Sequence, residues 1–573
     1  MKKSKIIIYL LFIIINNVSA NTIRVPQDYS TIQAAINAAQ RGDTVLVSEG
    51  TYFENINFQG KGIVVTSNYI FTQDWQTVLG TIINGSTAIN KDTASTVQLL
   101  NGEDSTSVIE GFTITGGSGT KYHFKDLLQP YQEGGGIILS YSHAVIKDNY
   151  ITGNINNPVS GGVEDGGGGG IASMYGNPTI INNMIVSNSS GYACGIVLNW
   201  SAGTIKNNII YHNKGGAVDG CGGVMIYDSP DSVVVENNTI AGNVSLTGTG
   251  GVSISLAGAY VPDIENNIIW YNRQVNSPQV SLSQPLTFND VEDHLYTGNI
   301  SVNPDFADNT FLLADNSPCI DGGDTSSICN DLEDQNAPGK ALLPSKGTIR
   351  NDIGAYGGLN TKLFPPIITS DIYTSKSSFI ISNASTGKVS TLKVDLLNLG
   401  TEDLNVDSVT VNNTSLFSFS PNSRGMVYKM FQSDTIILSY NPVIAGSLMD
   451  TIRIYHRASS TVSPILIPVK ITAKTTDIKD SKSIIYDYKL YQNWPNPFNP
   501  STNIKFDIGA TAHVSLKIFD VLGKYVETLI DGVMGSGNYN VEWKPKTNLS
   551  SGIYLANLQA DNYFETKKMV YLK

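Results

Sequence analysis

Five copies of one short phrase between residues 136 and 272 restrict this chain more than any other feature. Its second half reads DNYITGN, NNMIVSN, NNIIYHN, NNTIAGN and NNIIWYN, and its first half GGIIL, GGIAS, CGIVL, GGVMI and GGVSI. Two Asn positions five residues apart recur together, as Asn149/Asn154, Asn183/Asn188, Asn208/Asn213, Asn238/Asn243 and Asn267/Asn272. A period of 25 to 34 residues, with fixed corners and insertions of variable length, belongs to a solenoid whose units bury their apolar side by stacking on one another.

Within a unit the apolar residues alternate with smaller or polar ones, as at Ile137/Leu139, Ile196/Leu198, Val224/Ile226 and Val252/Ile254, which is strand spacing. A second set flanks the first Asn of each pair of positions: Ile146/Ile151, Ile180/Ile185, Ile205/Ile210, Val235/Ile240 and Ile264/Ile269. Each unit is therefore expected to hold two or three short strands around a common core. Asn tolerates the left-handed backbone needed at a corner, and stacked Asn side chains can bond along the stack. Propeller blades would need four strands in roughly 40 to 50 residues, so a parallel β-helix accounts best for the period.

The pattern resembles the right-handed parallel β-helix of the pectin-lyase-like superfamily, over roughly residues 22 to 360. The entry segment TIRVPQDYSTIQAAINAAQRGDTVLVSEGTYFENI resembles the start of such proteins, with Ser30 expected to cap a short helix whose Ile32, Ala35, Ile36 and Ala39 close the core. The exit phrases NPDF, SPCIDGGD and NDIGAYGG resemble the terminal region of secreted β-helix proteins of the choice-of-anchor class. Residues 1–20 read as a signal peptide: Lys2, Lys3 and Lys5 precede an apolar run, and Val18-Ser19-Ala20 offers a cleavage site. No later run is apolar enough to span a membrane. A net charge of −12 argues against nucleic acid and permits cation-bridged contact with acidic glycans.

Beyond Pro365-Pro366 the corners disappear and alternating strands such as STLKVDLLNLG and ILIPVKITAK predict an Ig-like β-sandwich. Its phrases LNLGTEDLNVDSV and YNPVIAGSLMDTIRI resemble the Ig modules that follow catalytic or adhesive domains in bacterial surface proteins. The closing segment resembles the type A sorting domain of the type IX secretion system. The resemblance rests on PNPFNP at 495 to 500, Leu522-Gly523, Ser551-Gly552-Ile553-Tyr554 and Lys567-Lys568. It implies recognition by the type IX machinery, passage across an outer membrane, and secretion or surface anchoring. The expected architecture is all-β: β-helix with cap helix at 21–362, Ig-like sandwich at 363–474, linker at 475–485 and a small sorting sandwich at 486–573.

The lyases of that β-helix superfamily use carboxylate-bound calcium with an Arg or Lys base, and its hydrolases use paired Asp. Their catalytic signatures do not transfer to this chain, whose only Arg between residues 111 and 300 is Arg273. Insertions between the third Asn and the next Gly corner should emerge along one edge. There Glu133, Glu164, Asp165 and Asp219 form a candidate calcium cluster, and Asp219, Glu164 and Asp165 are catalytic candidates together with Lys206, which like Lys147 sits just before the Asn pair of its coil and is expected to face outward as a base. Solvated loop charges are the plainer reading of the same residues. Tyr141, Tyr175 and Trp200 each fall five residues after a Gly corner, so they should stack about 5 Å apart. With Tyr122 and Tyr192 they are the sugar-binding candidates, unless such a stack only fills space. Cys319 and Cys329 are a candidate disulfide, and Cys194 and Cys221 lie about one coil apart. Two functions fit: an exported polysaccharide-engaging protein, with pectate-lyase-like cleavage as its enzymatic form, or an adhesin in which the helix is a rigid rod.

Overall fold

The computed structural model describes the chain except residues 1–19, 126, 128, 157–163, 216–219, 256–259, 274–278, 282–285, 294–297, 420–423, 476–487, 547–548 and 562. The signal-peptide expectation, most of the expected linker and Asp219 lie outside the described residues. The chain divides into two compact units, Met1–Lys474 and Thr475–Lys573.

Parallel strands of the first unit stack into three long sheets, two of nine strands and one of eight. One coil shows the path. Ile171–Met174 lies in the eight-stranded sheet, Thr179–Ile181 in one nine-stranded sheet, Met184–Val186 in the other, and Ser189–Ser190 in a short fourth sheet. Registry between coils is in step: Ile171 pairs with Ile196, Ile180 with Ile205, and Ile185 with Ile210. Each inward aliphatic therefore sits on its counterpart in the next coil, and one continuous core runs from Val25 to Val291. Burial of these columns supplies the main stabilisation, at about 25 cal/mol per Å² of apolar surface removed from water.

The two members of each Asn pair do different work. The first takes the left-handed backbone, with φ of 55° at Asn182, 52° at Asn207 and Asn237, and 58° at Asn266. The second points inward and forms a ladder in which each Nδ2 donates to the next Oδ1: Asn149 to Asn183, Asn183 to Asn208, Asn208 to Asn238 and Asn238 to Asn267, at 2.9–3.1 Å. A parallel ladder runs through Asn154, Asn188, Asn213, Asn243 and Asn272 at 2.9–3.0 Å. The first ladder continues to Asn289 and Asn299, beyond the five repeats.

The cap helix is Ile32–Ala38, and its N-cap is Thr31, not Ser30: the Thr31 hydroxyl accepts from Ala34 N. Glu54 accepts from the next two free amides, Ile32 N and Gln33 N. A second cluster, on the outside of one nine-stranded sheet, contains Tyr69, Trp75, Tyr211, Phe311, Tyr356, Phe364 and Phe431. The exit segment thus folds back on the coils, and Asn207 and Asn237 donate to its backbone at Ala355, Gly357, Asp352 and Gly354.

The rest of this unit is a sandwich of a four-stranded and a five-stranded sheet. All of its strand pairs are antiparallel except Phe379–Ser385 on Ile465–Lys474. It docks directly on the coils: Tyr211 donates its hydroxyl to Leu399 O, and the Tyr271 and Phe431 rings stack at 4.0 Å. The second unit is a small antiparallel sandwich cored by Phe498, Phe506, Leu516, Trp543 and Leu558. Phe498 of the PNPFNP run is buried and exchanges backbone bonds with the last strand, Phe498 N to Val570 O and Leu572 N to Phe498 O. That run thereby clasps the two ends of the domain.

The expected Cys319–Cys329 bridge is absent. Cys319 donates to Asp290 Oδ2 at 3.2 Å, whereas the Cys329 thiol lies 3.7 Å from Asp324 Oδ2. Cys194 and Cys221 are also free and buried. Their coils are offset by one residue, so that Ala193, not Cys194, bridges to Cys221. Burial pushes both thiols up to about 12, which leaves them protonated and inert at neutral pH.

Candidate functional site

The corner after the eight-stranded sheet carries the predicted aromatic ladder. Tyr141 and Tyr175 stack at 5.2 Å and Tyr175 and Trp200 at 5.8 Å, each pair with 17° between ring planes. All three have left-handed backbones, with φ of 51°, 56° and 46°. In the next coil the equivalent corner residue is Asp228, φ 47°, whose Oδ2 accepts from Trp200 Nε1 at 3.0 Å. Neighbouring Tyr227 meets Trp200 edge-on at 5.1 Å. The ladder ends on Tyr141, which is 57% exposed.

The insertion of residues 119–133 does not project as a free loop. Gly119–Tyr122 and Tyr131–Glu133 form a hairpin whose second strand pairs in parallel with Glu164–Gly167. Phe124 from its tip packs on Ile138, Ala172 and Val197, the outward residues of the eight-stranded sheet. The flap reaches the ladder: Phe124 lies 5.3 Å from Trp200, and Tyr122 Oη is 2.9 Å from Ser140 Oγ. Tyr122, expected on the loop edge, is thereby brought to the ladder by the flap, whereas Tyr192 is not. Tyr192 donates its hydroxyl to Glu133 under the flap and accepts from Asn199 Nδ2 at 2.8 Å.

Glu133 is fully buried, and its Oε2 has no partner among the described residues. Desolvation pushes its carboxyl up to about 8, so it is largely protonated at neutral pH. Glu133 thus sits as a buried acid beneath the flap, apart from the exposed loop edge expected of it. Glu164 and Asp165 lie on the strand beside it; their side chains and all of Asp219 fall outside the described residues.

Lys206 faces outward just before its Asn pair, away from the loop edge. It stands on the outer face of a nine-stranded sheet, directly opposite Glu236, with Nζ to Oε2 at 2.7 Å. Lys147 pairs in the same way with Glu110 at 3.1 Å. Each lysine's charge is taken by a carboxylate of an adjacent coil, so Lys206, the candidate base, stands in a cross-strand ion pair. Glu236 also belongs to a group with Glu265 and Cys329 whose ligand atoms lie within 4.8 Å of one another. Desolvation, then Asp263 and Glu236, raises Glu265 to about 7. Sequence reading missed this group, because Cys329 comes from the exit segment and no spacing motif links it to the coils. Asp228 was within reach, since it stands five residues after Gly223 as the aromatics do after their glycines.

Comparison with known proteins agrees with this architecture. A family model for the right handed beta helix region matches residues 13–269, and one for the secretion system C-terminal sorting domain matches residues 492–572. No curated protein matches. Similar solved structures include a PapD-like domain of human CEP192, at 11% identity over 20% of this chain and 94% of that one, with a TM-score of 0.17. The YadV chaperone is 12% identical over 35% of this chain and 99% of its own, TM-score 0.15. A protein of unknown function from Porphyromonas gingivalis W83 is 13% identical over 35% and 99%, TM-score 0.16.

Proposed function

We propose that this exported protein, a right-handed β-helix joined to a type IX sorting domain, engages polysaccharide at the Tyr141–Tyr175–Trp200 corner. The observation that supports the reading is the backbone under the ladder. Three bulky aromatics in succession occupy the left-handed region, where Gly or Asn would avoid a cost of roughly 1 kcal/mol or more per residue. Space filling does not require that cost at a surface corner. The exposed Tyr141 ring gives a sugar an apolar face, and Tyr122, Tyr227 and Asp228 supply polar groups around it.

We carry the binding form of this reading rather than the lyase form, because a lyase needs a base at the sugar's α-carbon and Lys206 and Lys147 are already engaged. Calcium bridging an acidic glycan to Glu164, Asp165 and Asp219 belongs to the same proposal, and the sandwich is read as an Ig-type spacer. The alternative, a rigid adhesive rod, draws on the unbroken Asn ladders. The test is binding of the full chain to a glycan array with and without calcium, followed by Trp fluorescence titration of the hits. Tyr141→Ala should weaken binding about tenfold, the worth of one ring contact at roughly 1–1.5 kcal/mol. Absence of any hit, or unchanged affinity in Tyr141→Ala, would leave the rod.

A further inference from the structure

A different corner holds three groups in relay order. The residue before each Asn of the second ladder points outward, and in successive coils it is Gly153, Ser187, His212 and Gly242. Ser187 Oγ lies 2.9 Å from His212 Nδ1, and His212 Nε2 lies 2.9 Å from Asp371 Oδ2. Asp371 comes from the sandwich, so the relay exists only where the two domains meet. Its carboxylate is buried at 1% exposure and is held by Lys214, Ser460 and Thr461 as well as by His212.

We infer that Ser187 is the nucleophile, His212 the base and Asp371 the positioning residue of an acyl-transfer centre acting on carboxylic esters. Nucleophile, base and orienter stand in hydrogen-bond sequence, which is the geometric signature of such centres whatever the fold. An ionised Asp371 accepting from Nε2–H fixes the tautomer that leaves Nδ1 free to take the Ser187 proton. The groups facing this ring agree with a neutral imidazole. Desolvation lowers the His212 pKa and Lys214 lowers it further, while Asp371 opposes both; the Tyr211 ring covers one side at 5.5 Å. Tyr211 and His456 are further titratable groups that feel Asp371.

Access comes from the coil above. Gly153 is exposed, and among the described residues, its chain neighbours apart, only Thr115 Oγ1 lies within 4 Å of where its Cβ would stand, at 3.1 Å. A side-chain-sized notch therefore opens beside the partly exposed Ser187, flanked by Ile155 at 54% exposure. In the reaction Ser187 Oγ bonds to the ester carbonyl carbon as its proton passes to Nδ1. The carbon–alkoxy bond then breaks and the alcohol leaves with that proton. Water repeats the sequence, releasing the acid and restoring Ser187. No oxidant or metal enters the balance, and the proposal does not depend on glycan binding at the aromatic corner.

The test is labelling of the full chain with a fluorophosphonate probe and mapping of the modified peptide, together with p-nitrophenyl acetate hydrolysis across pH. Label is expected on Ser187 alone, lost in Ser187→Ala and kept in Ser189→Ala, the neighbouring control. His212→Asn should slow hydrolysis about 100-fold or more. Wild-type rates should rise through the His212 titration below its ordinary range, and Asp371→Asn should displace that midpoint as well as reduce the rate. No label, label that survives Ser187→Ala, or label on another serine overturns the assignment and leaves the relay as a clamp between domains.

Discussion

Removing one rung from the first Asn ladder gives the sharpest test of how the coils cohere. In Asn208→Ala the Asn183 amide loses its acceptor, Asn208 Oδ1 at 2.9 Å, and Ile180 O loses Nδ2 at 2.9 Å. Both sites are buried, so water cannot replace the missing partner. An orphaned buried group such as the Asn183 amide costs about 1–3 kcal/mol, and with the second bond lost at Ile180 O, whose strand partner remains, the destabilisation should be about 3 kcal/mol. Asn299→Ala provides the internal comparison. Asn299 is partly exposed and its ladder bond from Asn289 Nδ2 is 3.4 Å, so solvent can take over and the cost should be about 1 kcal/mol. Urea unfolding compares the two variants, and hydrogen exchange adds a local readout that does not require two-state behaviour. The Asn183 amide should lose most of its protection in Asn208→Ala and none in Asn299→Ala. Equal destabilisation of the two, or a still-protected Asn183 amide, would refute the reasoning that inward Asn bonds hold the coils in register.

Three further outcomes follow from the same geometry. Glu133 has its folded pKa raised to about 8 from 4.5, so its contribution is fully present below the unfolded value and lost as pH rises through about 8. The melting temperature should therefore fall between pH 5 and pH 9 (about the two ends of that window) more steeply in the wild type than in Glu133→Gln; parallel curves would contradict the buried acid. Lys206→Met should cost no more than about 1 kcal/mol, since the pair with Glu236 is partly solvated, and the difference from wild type should shrink in high salt. Alkylation of the denatured, unreduced chain should modify all 4 cysteines; a mass short of that count would reveal a bridge.

Positions inside the repeat were legible because their neighbours occupy the same position one coil away. The aromatic ladder, the Asn corners and the inward Ile columns follow from that rule alone, and so does Lys206: KNN and ENN in successive coils place Lys206 over Glu236. What broke the rule was hidden. Asn289 and Asn299 lack a preceding Asn and fall 22 and 10 residues after the rung before them, so no period selects them. Ser30 and Thr31 are adjacent capping residues, and only the observed path gives the role to Thr31. Cys194 and Cys221 miss each other through a one-residue offset that an insertion creates.

The inserted flap was least legible, because the fate of a loop carboxylate depends on where the loop lands. Glu133 looks solvated in sequence, yet the flap turns it against the sheet, where the Tyr192 hydroxyl donates to it and Asn199 in turn holds Tyr192. The Ser187–His212–Asp371 relay combines both cases. Ser187 and His212 precede equivalent Asn residues in adjacent coils, so their contact is implicit in the repeat, whereas Asp371 arrives from a domain with no repeat at all. A solenoid's sequence thus specifies its own stacked contacts. Chemistry that needs a third group must recruit it from an insertion or from a docked domain, and that is where structure adds most to the reading of this chain.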